Sequence, residues 1–87
     1  MHKSWLIIDG PPQLTDRDVG LSRTFTLNDD HQPQRLDIVI THVGITPVDR
    51  VCSFAGTAHI DNHHVSLLGT YNKHDHTGTC ITNPAVS

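Results

Sequence analysis

Polar and apolar positions alternate along most of the chain, and Gly, Pro, Asn and Asp break the alternation at short intervals. A period of two places successive side chains on opposite faces of a strand, so each alternating run predicts a strand and each break a turn. Six strands result. The first, Lys3–Asp9, is closed by Gly10-Pro11-Pro12, which cannot continue a ladder. A long loop over 10–20 follows, in which Thr15-Asp16-Arg17-Asp18 can cap one helical turn and no more.

The second strand, 21–27, puts Leu21, Arg23, Phe25 and Leu27 on one face and Ser22, Thr24 and Thr26 on the other. The polar stretch 28–34 is a turn. The third strand, 35–43, sets Leu36, Ile38, Ile40 and His42 against Asp37, Val39, Thr41 and Val43; both faces carry apolar residues, which predicts a central strand. The fourth, 50–60, and the fifth, His63–Asn72, flank Asp61-Asn62, a two-residue turn of the kind that tolerates positive φ. A loop over 73–76 leads to a sixth strand, 77–83, and a tail over 84–87. The fold expected is all-β with no substantial helix, a single domain built as a small antiparallel β-sandwich or partly open β-barrel.

The Asp61-Asn62 turn fixes the pairing of its two strands. Counting outward, Ile60 opposes His63, His59 opposes His64, Ala58 opposes Val65, Gly56 opposes Leu67, Phe54 opposes Gly69 and Cys52 opposes Tyr71. One face is then mostly apolar. The other is wet, with Leu68 its main exposed apolar side chain and His59 and His64 as cross-strand neighbours. His63 points the other way and is expected at the edge of the core.

Composition narrows the chemistry. Of 87 residues none is glutamate, three are alanine and two are lysine, whereas Thr, Val and Ile supply 24, a balance that favours strands. Every side-chain carboxylate role therefore falls to one of nine aspartates. Six scattered basic residues and a net charge of −3 make no phosphate-tracking stripe, so nucleic acid is not an expected partner. The longest apolar run near the N-terminus has four residues, too short for a signal peptide core or a membrane span, and the expected setting is a cytoplasm or a viral or phage assembly. Cys52 and Cys80 fit no disulfide framework and no zinc spacing, and are expected as reduced, small apolar residues separated by a whole strand.

Eight histidines are the remaining chemical feature, five of them between His59 and His76. Imidazole titrates close to neutral pH and is the commonest metal ligand. Protonating all eight takes the formal charge from −3 to +5. His59, His64, His74 and His76, with Asp61 or Asp75 as carboxylate donors, make a candidate site for zinc, iron or copper. His74-Asp75-His76 resembles the His-x-His pairs of cupin barrels and of the iron-binding tips of trimeric phage spikes. The resemblance covers only these few residues, with no glutamate to complete the cupin motif and no β-helical repeats around it, and neither family is assigned.

No nucleophile elbow or glycine-rich oxyanion turn accompanies the Ser, Cys and His residues, and no catalytic residue is assigned. The expected function is that of a non-catalytic protein-interaction module, an accessory, structural or inhibitor protein that binds a partner protein or itself, with no cofactor. Such domains present an edge strand, a hairpin face or loops. The candidate contacts are Trp5, the turn residues Asp29, Asp30 and His31, the hairpin tip Asp61 and Asn62, and Leu68. The alternative is a small metal-binding β domain or metal-dependent enzyme.

Overall fold

A computed structural model describes residues 3–11, 13–28 and 33–86, with residues 3–5 and 84–86 described by backbone alone. The strands are β1 (Lys3–Asp9), β2 (Ser22–Asn28), β3 (Gln34–Ile45), β4 (Val51–Ile60), β5 (His63–Asn72) and β6 (Thr77–Val86). Each pairs antiparallel with its neighbour in sequence, and β6 returns to pair with β1, so the sheet closes into a six-stranded barrel. Closure removes sheet edges, which takes away the edge strand as a docking element. Among the described residues no helix is long and apolar enough to cross a membrane.

The barrel is narrow, and side chains fill it. Phe25, Phe54, Tyr71, Ile8, Ile38, Ile40, Leu67, Val65 and Cys80 are fully buried, together with Leu14 from the loop after β1. Large and small residues alternate around the wall so that this interior packs. β6 contributes the small side: Gly78, Cys80 and Thr82 face inward, and Gly78, paired with Tyr71, leaves room for its ring. Phe25 lies parallel to Phe54 at 6.4 Å and edge-on to Tyr71 at 5.9 Å, the separations at which aromatic pairs attract. Gly69 lies on the inner row between Phe54 and Cys80. A Cβ on it would sit 2.0 Å from the Thr79 carbonyl oxygen, so the close approach of β5 to β6 requires glycine there.

Two irregularities set which side chains point in. In β3 the register against β4 shifts between Ile40 and His42, leaving Thr41 as the extra residue of a bulge. Beyond it the parity reverses: Val43 packs against the core and His42 is exposed, the opposite of strict alternation. The second irregularity lies where β1 meets β6, between the pairs Lys3–Val86 and Trp5–Ile81. Pro84 falls in this stretch, and proline, with no N–H to donate, is accommodated at such a shift. The segment expected as a C-terminal tail is thus strand through Val86.

The loop between β1 and β2 plugs one end of the barrel. Leu14 enters the core, and the Tyr71 hydroxyl donates to the Pro11 carbonyl oxygen at 2.6 Å. Asp16–Asp18 forms one 3₁₀ turn with Thr15 as its cap. Asp18, nearly buried, accepts from the Thr15 N–H and pairs with Arg23 on β2. The loop is therefore part of the folded unit.

Candidate functional site

Asp61 and Asn62 have φ of 51° and 66°, both left-handed, as a type I′ turn requires. The pairs from Ile60–His63 to Cys52–Tyr71 follow in the expected register. His59 and His64 face outward, both exposed, with ring centroids 5.0 Å apart and planes tilted by 55°. Neighbouring pairs of an antiparallel ladder alternate in type; the pair beside the turn is hydrogen-bonded, which makes His59–His64 the closer, non-hydrogen-bonded kind. His63 is exposed rather than at the edge of the core. It lies one residue past the turn, at the open mouth of the barrel, where an inward-facing position meets solvent.

His74 and His76 do not join them. Eight residues of β5 follow His64 before the strand ends at Asn72, and at about 3.3 Å per residue this sets the two groups more than about 25 Å apart, at opposite ends of the barrel. The turn over 73–76 is organised locally. The Asn72 side-chain oxygen accepts from the N–H groups of His74 and Asp75, and His76 adopts a left-handed φ of 59°. The four histidines therefore form two separate groups. Among the described residues no three His, Cys or Asp side chains gather closely enough to hold one metal ion.

The outer wall carries a different feature. Leu68 is 57% exposed, and its cross-strand neighbour Ile81 on β6 is 38% exposed. The row of paired residues runs from Ala55 through Leu68 and Ile81 to the backbone of Trp5. Ile7, 55% exposed, lies one row away, paired with Thr79. Ser53, Thr70 and Thr79 border a shallow hollow beside Leu68 and Ile81, and among the described residues no charged side chain lines it. Leu68 is legible in the sequence as an outward apolar residue, whereas Ile7 and Ile81 are not. The alternation in β6 sets Ile81 against Cys80 and Thr82, which gives little indication that the isoleucine is the outward residue. The Trp5 side chain and Asp29, Asp30 and His31 lie outside the described residues, while Asp61 and Asn62 are exposed at the hairpin tip.

At the plugged end, the link between β3 and β4 and the loop after β1 border a groove lined by Leu14, Val43, Ile45 and Val48 with Asp16 and Lys73. Ile45 is 99% exposed there. Cys52 lies at the floor of this groove, whereas Cys80 is enclosed in the barrel. Cys52 and Cys80 are buried and unpaired with each other, and burial raises both thiol pKa values, that of Cys80 to about 11. A thiol so shifted stays protonated at neutral pH and is a poor nucleophile. Compared with known proteins, the chain has no significant match to a protein family, a curated protein or a solved structure.

Proposed function

We infer that the protein is a non-catalytic binding module that engages a partner protein through the outer wall of β5, β6 and β1. The observation that carries this reading is the exposed row of Leu68 and Ile81 with Ile7 beside it. Isolated exposed aliphatic residues are ordinary, but adjacent ones on neighbouring strands, around an uncharged hollow, suit the apolar anchor of a protein partner. The filled interior and the protonated, buried thiols support the same reading, because they direct interaction to the exterior.

Light scattering after size exclusion, with capture of a stoichiometric partner from the native source, tests the reading when wild type is compared with the Leu68→Lys, Ile81→Lys double variant. Both positions are outward, so the barrel should stay folded, and association should weaken by at least about tenfold if these residues anchor it. Association unchanged in the double variant overturns the assignment to this wall. A monomer that recruits no partner and turns over a substrate overturns the function.

A further inference from the structure

We propose that His59 and His64 form a chelating site for one divalent transition-metal ion of the zinc, nickel or copper(II) class, on the outer wall near the hairpin tip. The proposal is independent of the partner-binding reading and rests on the geometry of two rings. A metal–imidazole nitrogen bond is about 2.0–2.1 Å. Adding about 1.1 Å from that nitrogen to the ring centre puts the metal about 3.2 Å from each centroid when it lies in the ring plane. Two rings sharing a tetrahedral ion then have centroids about 5.2 Å apart, and two rings at a right angle about 4.5 Å. The observed 5.0 Å lies between these values, and the rings are tilted rather than stacked.

The backbone holds this spacing before any ligand arrives. The left-handed turn at Asp61 and Asn62 fixes the register, and the inward-facing Ala58, Ile60 and Val65 are buried on either side of the pair. Once one imidazole binds, the other is already within reach, so its attachment costs little further ordering. Both rings are exposed, which leaves a path for the ion. Two imidazoles supply half of a tetrahedral shell, and water fills the remaining positions.

The test is calorimetric titration of the untagged full chain with zinc chloride, together with the imidazole proton resonances of the wild type. One equivalent of zinc should bind, and the His59 and His64 signals should move together. His59→Gln and His64→Gln should each weaken binding by at least about tenfold, the loss expected when a chelate becomes a single ligand. The His74→Gln, His76→Gln double variant should bind within about twofold of wild type. Zinc that moves the His74 and His76 signals and leaves those of His59 and His64 in place overturns the proposal. So does affinity unchanged in either single variant, or no binding at all. The wild-type resonances decide the matter even if a variant fails to fold.

Discussion

The two faces of the β4–β5 hairpin share one backbone and one register, yet they differ in how much of their sequence the fold explains. On the inner face Cys52, Phe54, Ala58 and Ile60 meet Tyr71, Leu67 and Val65, all buried, and Gly56 and Gly69 stand where a side chain would collide with a neighbouring strand. Each identity there follows from volume. On the outer face Ser53, Ala55, Thr57 and His59 meet Thr70, Leu68, Ser66 and His64, and most of these would serve the barrel equally well as any strand-compatible residue. Leu68, His59 and His64 are where the sequence departs from what folding asks. Function is therefore sought on the outer face, and stability on the inner.

The sharpest way to break that contrast is truncation on both sides of the same hairpin. Phe54 is fully buried between Phe25 and the strand row of Gly69 and Cys80, so Phe54→Ala removes a ring and leaves a cavity. The expected loss is about 3–5 kcal/mol, enough to unfold much of a small domain whose margin is of that order. Leu68→Ala, outward on the paired strand, should cost less than about 1 kcal/mol. Urea denaturation followed by circular dichroism measures both. Comparable losses at the two positions would mean that the outer wall is also packed, and would remove the case for a docking surface there.

A smaller effect comes from alkaline pH and again belongs to the interior. Burial, then the nearby Asp9 carboxylate, pushes the Tyr71 phenol up from 10.0 to about 12. The folded protein thus holds the proton after the unfolded chain has released it. The stabilisation is fully present below pH 10 and is lost as pH rises through 12, by about 2–3 kcal/mol in all. Ionisation would also remove the hydrogen bond to Pro11, which a phenolate cannot donate. Tyr71 is the only tyrosine, so ultraviolet absorbance titrates it directly. A midpoint near 10 would show that this end of the barrel admits water. Tyr71→Phe should flatten the alkaline loss of stability, leaving the contributions of the two thiols, both raised by burial, that of Cys80 from 9.0 to about 11.

The comparison also separates what the amino-acid pattern discloses from what it hides. The hairpin register was legible because two left-handed residues, Asp61 and Asn62, determine every pair that follows. Barrel closure was not, since β1 and β6 meet from opposite ends of the chain and nothing local marks the choice between a sandwich and a barrel. The bulge at Thr41 was equally silent: one extra residue reverses the parity of β3 and exchanges His42 for Val43, with no distinctive composition. The separation of the histidines was there to be counted. Eight residues of strand follow His64, so the turn that brings His59 to His64 also carries His74 and His76 to the far end.

The finest test of inner against outer uses one kind of residue on both. The Thr82 side-chain oxygen is buried and has no hydrogen-bond partner among the described residues, on the inner row with Gly56 and Leu67. A desolvated hydroxyl with no partner costs about 1 kcal/mol or more, and valine fills nearly the same volume without that penalty. Thr82→Val should therefore stabilise the barrel by about 1 kcal/mol. Thr79, on the same strand, faces outward into water and is exposed. There the hydroxyl is already solvated, and Thr79→Val should change stability by less than about 0.5 kcal/mol. The difference between the two substitutions, read from urea midpoints at equal m-values, isolates the cost of the inner position from the strand preference of valine, which both share. Equal shifts would mean that the Thr82 hydroxyl finds water in solution, and that the barrel is open along β6.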